Sequence, residues 1–220
     1  MTIYKLPEPI TAFLFDMDST LYTNREYFQF QIDSPIRRLA RLRGVSFDRM
    51  QQEIAAYRRD WAAAHGGQQT SLGNVFMAFG ISIEESIRWR EELYEPAAYL
   101  KADPRLQETL TTLGASCALG LVTNNPVFVA RKTLTCLGVD ALFQVIVGLD
   151  TCGVSKPHAA PFLKALELLK VSPAAAVSVG DRYDIDLARP LELGMGGILV
   201  DGVEDVYTLV EALNLIDNGF

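Results

Sequence analysis

From about residue 101 to the carboxyl end, apolar runs of four or five residues alternate with stretches whose apolar residues recur at helical spacing, and few folds accommodate that rhythm. The runs at 118–122, 144–147, 175–179 and 197–200 lack the polar alternation of a half-exposed sheet. Both faces of these strands are therefore predicted to be covered, as in a parallel sheet. Residues 126–137, 159–169 and 185–193 read as the helices between them. The prediction is an α/β fold built on a doubly wound parallel sheet. One more run, at 10–15, stands alone near the amino end. Residues 22–100 hold no comparable run. Instead Ile32, Ile36, Leu39 and Leu42, then Met50, Ile54, Tyr57 and Trp61, then 75–79 and 83–93, show helical patterning, punctuated by Gly44, Gly66, Gly67 and Gly80. The expected organisation is a core domain at 1–20 and 101–220 with an all-helical domain inserted at 21–100.

A chain of 220 residues that is 49% hydrophobic can bury a core and a smaller insertion, and it is not a disordered one. Its net charge of −7 and pI near 4.9 argue against nucleic acid or an anionic membrane as partner. An anionic substrate would need local positive charge. Cys117, Cys136 and Cys152 are odd in number and fit no zinc spacing, which suggests reduced thiols. Residues 1–9 include two prolines and Glu8, the run that follows is short for a secretory signal, and no segment approaches the ~18 apolar residues of a spanning helix. The expectation is a cytoplasmic monomer or homodimer.

In open parallel sheets, chemistry sits beyond the carboxyl ends of the strands. The run at 10–15 is followed by Asp16, Met17, Asp18, Ser19 and Thr20, and that at 118–122 by Thr123, Asn124, Asn125 and Pro126. After 144–147 the chain reaches Ser155, Lys156 and Pro157, and after 175–179 come Gly180, Asp181, Asp184 and Asp186. Several carboxylates at one edge repel unless a hard cation joins them, so Asp16 and Asp181, with Asp184 or Asp186, suggest a Mg²⁺ cradle. Two aspartates one residue apart suit a nucleophile and a proton donor. Asn125 is a candidate N-cap, with Pro126 at the first helical position, and such a helix start suits a phosphoryl group. Lys156 would add the positive charge that the chain as a whole lacks.

These residues, in this order, resemble the four motifs of the haloacid dehalogenase-like (HAD) superfamily: Asp16-Met17-Asp18-Ser19-Thr20, then Thr123-Asn124, then Lys156-Pro157, then Gly180-Asp181 with Asp186. The resemblance covers about 1–20 and 101–220. It implies a Rossmann-like core with a C1-type helical cap, and Mg²⁺-dependent hydrolysis of a small phosphomonoester through an aspartyl-phosphate. In that pattern Asp16 is nucleophile and metal ligand. Asp18 is acid and base, with its backbone carbonyl on the metal. Asp181 and Asp186 complete the metal site, and Thr123, Asn124 and Lys156 hold the phosphoryl group. Ser19 stands where glycine is frequent, and the Ser-Thr-Leu-Tyr run is similar to the branch with pyrimidine 5'-nucleotidases and related phosphatases. Dehalogenases of the superfamily lack the second aspartate, so Asp18 speaks against halide chemistry. A phosphomutase, or a phosphate-binding regulator on a retired core, is the alternative.

Other residues have plainer readings. Arg37, Arg38, Arg41 and Arg43 form the solvated face of a helix more readily than an anion site. Tyr22, Arg25 and Tyr27 either line the site's entrance or pack the cap, and Trp61 and Trp89 are packing residues. His65 reads as a helix-end residue, and His158 lies next to the Lys156 loop. The run Gly194-Met195-Gly196-Gly197 follows a helix rather than a strand, so it is a turn and not a dinucleotide fingerprint.

Overall fold

The computed structural model describes residues 1–217. Six strands form one sheet: β1 (Thr2–Lys5), β2 (Ala12–Phe15), β3 (Ala118–Val122), β4 (Val145–Val147), β5 (Ala176–Gly180) and β6 (Gly196–Leu199), in spatial order β1-β6-β5-β2-β3-β4. The last five are mutually parallel, and β2 lies between β3 and β5 in register Phe15↔Leu121 and Phe15↔Val179. β1 pairs antiparallel with β6, so the otherwise parallel sheet gains one antiparallel edge. Nothing in the apolar pattern announces β1. An edge strand covers little, and of its four residues only Ile3 is even half-buried. The expected strand at 10–15 joins the sheet only from Ala12.

The region between β2 and β3 is helical: α1 (Arg25–Arg43), α2 (Phe47–Ala64), α3 (Leu72–Ala78) and α4 (Ile83–Leu93). Each begins at a polar N-cap, Asn24, Ser46, Ser71 or Ser82, whose side chain accepts a backbone N–H three residues on. α1 ends at Gly44, whose φ of 65° is the left-handed conformation that a C-cap needs. Ile36, Leu39, Met50, Ile54, Phe76 and Trp89 pack into a cluster of their own. Leu42, expected on that apolar stripe, points outward at 62% exposure, and Trp61 stacks on His65 at the end of α2. The first half of α1 joins the sheet's core instead, through Tyr27 and Phe30.

The remaining helices are α5 (Pro104–Gly114), α6 (Val127–Leu137), α7 (Leu149–Cys152), α8 (Ala159–Leu169), α9 (Ala188–Glu192), α10 (Val203–Tyr207) and α11 (Leu209–Asp217). Alternate residues of β2 explain why its run is apolar throughout. Phe13 and Phe15 pack with Leu106, Leu110 and Leu134 on one face, while Ala12 and Leu14 pack with Phe162, Ala165 and Leu166 on the other. Burying a side chain of this size contributes about 1.5–3 kcal/mol, so both faces favour the same strand. No helix among the described residues is long and apolar enough to cross a membrane.

Candidate active site

Because β5, β2 and β3 are neighbours, their carboxyl ends bring Asp181, Asp16 and Thr123 to one edge of the sheet. Asp16 is buried, and its N–H donates to Val179 O at 2.8 Å. Carboxylate oxygens of Asp16, Asp181 and Asp186 lie within 4.8 Å of one another, and Asp184 is not part of this cluster. Asp186 reaches it because the chain after β5 makes a wide π-helical turn over Tyr183–Leu187. Gly180 is required there, since a Cβ at that position would lie 2.4 Å from Asp186 Cβ. Lys156 Nζ, 1% exposed, donates to Asp16 Oδ1 and to Asp186 Oδ1, each at 2.6 Å. Asp186 Oδ2 accepts from Arg182 N at 3.1 Å, and its backbone carbonyl accepts from Ser178 Oγ.

Asp16 Oδ2 and Asp181 Oδ1 are buried without a hydrogen-bond partner. Unpaired buried carboxylate oxygens are costly. Two of them beside a third carboxylate make an all-oxygen donor set that fits a hard divalent cation such as Mg²⁺. Burial pushes the Asp16 carboxyl up to about 7; Lys156 opposes the rise, and Asp186, Asp181 and Asp18 add to it. Burial and Asp186 push Asp181 up to about 6 against the pull of Arg182 and Lys156. Burial works to lower Lys156, but Asp16 and Asp186 outweigh it and hold the ammonium above its ordinary value.

Asp18 stands outside the cluster and is held by neutral donors. Tyr22 Oη donates to its Oδ1, and Asn125 Nδ2 donates to its Oδ2 at 2.8 Å. Tyr22 Oη accepts in turn from Gln31 Nε2 on α1 at 3.0 Å, and Gln31 O accepts from Tyr94 Oη at 2.6 Å. Ser19 adopts φ 60°, the left-handed conformation that explains why glycine is frequent at this position.

Asn125 does not cap α6, contrary to expectation. Pro126 occupies the N-cap, and Asp150 Oδ1 accepts from Val127 N at 2.9 Å in place of an asparagine side chain. The Asn125 side-chain nitrogen donates to Asp18 Oδ2 instead. Thr123 is buried, and its Oγ1 accepts from Asn125 N at 3.1 Å, which leaves the hydroxyl proton free to donate. The Asn124 side chain clasps the Lys156 backbone, accepting from its N–H at 2.7 Å and donating to its carbonyl at 3.3 Å. His158 caps α8 by accepting from Ala160 N.

Three of the four arginines in the α1 run are engaged locally, and Arg41 is exposed. Arg37 lies over the Phe47 ring, Arg38 pairs with Glu92 and lies over Trp89, and Arg43 donates to Phe79 O. Arg25 is exposed at the start of α1. The helices meet the strand-end loops and one another through further residues, of which only Ser155 stood out in the sequence. Arg90 Nη1 donates to Asn124 O at 2.6 Å, Ser71 and Ser155 join hydroxyls at 2.9 Å, and Lys132 pairs with Glu95 at 2.6 Å. Between helices and strand ends lies a cleft of about 110 Å³, lined among others by Asp18, Ile32, Arg90, Asn125, Asp181 and Arg182.

Residues 10–188 match the family model described as haloacid dehalogenase-like hydrolase. A phosphoglycolate phosphatase of Colwellia psychrerythraea is 36% identical over 95 residues, which is 42% of this chain and 42% of that one. One of Aquifex aeolicus is 30% identical over 170 residues, 76% of this chain and 74% of that one. The chain thus aligns with less than half of the first relative and about three quarters of the second. The crystal structure of a HAD phosphatase from Thermococcus onnurineus superposes with a TM-score of 0.62 at 23% identity, covering 93% of this chain and 98% of the other, a likeness of fold. The order of the four motifs, the sheet that gathers them and the matched span lead to one conclusion: the chain belongs to the haloacid dehalogenase-like hydrolases.

Proposed function

We propose that the protein hydrolyses a small phosphomonoester with Mg²⁺, through an aspartyl-phosphate formed on Asp16. The observation that carries this reading is the state of Asp16. One of its oxygens is fixed by Lys156 and the other is buried without a partner, beside a cleft that Asp18 lines. An Asp16 oxygen attacks phosphorus, and the ester oxygen leaves with a proton from Asp18. Water then attacks the aspartyl-phosphate and gives a proton back to Asp18, which restores both carboxyl groups. Tyr22 and Asn125 fix the Asp18 carboxyl for both transfers. Lys156 and the Thr123 hydroxyl hold phosphoryl oxygens, and Asn124 sets the position of Lys156 through its backbone. Asp16, Asp181 and Asp186, with the Asp18 carbonyl, would hold Mg²⁺, whose charge offsets that of the phosphoryl group. Helices α1–α4 act as a cap that selects substrate.

The substrate class put forward is a phosphorylated acid of two or three carbons. The names of the phosphoglycolate phosphatases above support the same class. Three unpaired cysteines are in keeping with a reducing cytoplasm.

The test is phosphate release from a panel of phosphorylated metabolites and para-nitrophenyl phosphate, with Mg²⁺ and with EDTA. Wild type is expected to release phosphate only with the metal. Asp16→Asn should lose at least about 10³-fold in kcat while keeping its melting temperature. Activity of Asp16→Asn above a tenth of wild type would remove Asp16 as the nucleophile.

A further inference from the structure

Resting on the hydrolase reading above, we propose that Arg90 forms a second anion subsite in the cleft, one that takes a carboxylate of the substrate, so that the substrate is a short phosphorylated acid. Arg90 sits on α4 and is 5% exposed. Its Nη1 donates to a neutral carbonyl, that of Asn124, and its Nε is buried with no partner. Among the described residues no carboxylate pairs with it. The two carboxylates that share the cleft are engaged elsewhere. Both oxygens of Asp18 accept from Tyr22 and Asn125, and Asp181 faces Arg182 Nε at 3.7 Å.

A buried guanidinium without a counter-charge is expensive, and a fold retains one where an anion arrives to complete it. A contact to one carbonyl is a task that a neutral donor performs without that cost. Guanidinium also presents parallel N–H groups that match a carboxylate. Arg182, half exposed, lines the same cleft and adds a second positive charge. The phosphoryl group belongs at the Asp16 and Lys156 end. Asp18, which serves the ester oxygen, lines the same cleft as Arg90, so the carbons that join phosphate to carboxylate lie between them.

The experiment compares kcat/KM for 2-phosphoglycolate and for its neutral isostere, carbamoylmethyl phosphate, in wild type, Arg90→Met and Arg90→Lys. Wild type is expected to prefer the acid by at least about 30-fold, because the amide leaves the guanidinium uncompensated. Arg90→Met should bring the ratio to within about threefold of unity, and Arg90→Lys, which keeps the charge and fold, should retain part of the preference. A wild-type ratio near unity overturns the proposal. So does an equal loss on both esters in the variants, the result expected if Arg90 only latches the cap to Asn124 or touches the phosphoryl group. Hydrolysis of neither ester by wild type would count against the hydrolase reading instead. Calorimetry of 2-phosphoglycolate binding to Asp16→Asn then decides the subsite: about tenfold weaker binding on adding Arg90→Lys sustains it, and unchanged binding overturns it.

Discussion

Lys156→Met removes a cation that bridges two buried carboxylates, and the structure sets both the size of the effect and its pH dependence. Lys156 is 1% exposed and holds Asp16 and Asp186 at 2.6 Å each. Methionine fills a similar volume, so packing changes little and the lost charge dominates. Removing one partner of a buried ion pair costs about 3–5 kcal/mol, which for a chain of this size lowers the melting temperature by about 6–20 °C. The loss should depend on pH because the Asp16 carboxyl is pushed up to about 7. At pH 5 that group is protonated in the folded protein and Lys156 has less charge to neutralise. At pH 8 it is ionised beside Lys156, and without that ammonium it must either stay charged and unopposed or take up a proton, each at a cost. The deficit of the variant should therefore grow as pH rises through 7. Thermal melts of metal-free wild type and variant at pH 5 and pH 8 measure it. A deficit below about 1 kcal/mol at pH 8, or one equal at both values, would refute the view that Lys156 compensates buried carboxylate charge.

Three other perturbations probe the same site. The folded values of Asp16 and Asp181, about 7 and about 6, lie above the ordinary 3.8, so protons favour the metal-free fold and its stability falls as pH rises from about 4 through 7. Millimolar Mg²⁺ should accordingly raise the melting temperature more at pH 8 than at pH 5, and equal gains by scanning fluorimetry would contradict the cradle. Gly180→Ala places a methyl 2.4 Å from Asp186 Cβ, so a cost of about 1–3 kcal/mol in urea unfolding is expected, with loss of turnover although Asp16 is untouched. Tyr22→Phe deprives Asp18 of one donor. Turnover of alkyl phosphates should fall about tenfold, and that of para-nitrophenyl phosphate less, because nitrophenolate leaves with little protonation; equal losses would detach Tyr22 from proton transfer.

The sequence alone determined the architecture and the four strand ends. Strands covered on both faces must be apolar throughout, as Ala12 to Phe15 are, and that pattern survives in one dimension. That the residues after these runs, Asp16, Thr123 and Asp181 among them, would gather at one edge of the sheet was legible because a parallel sheet brings its carboxyl ends together. The helices between β2 and β3 were legible from their spacing and glycine punctuation. Strand β1 was not, because an edge strand needs no apolar run to be stable. Tertiary structure decided what depends on distance across the sheet and across the cleft. It chose Asp186 over Asp184 through the turn after Gly180, and it moved Asn125 from a cap to the Asp18 carboxylate. It brought Gln31 to Tyr22, and Arg90 to a carbonyl 34 residues away. Hydrogen bonds between residues so far apart leave no periodic trace, since each partner needs only one polar side chain on the correct face of its own element.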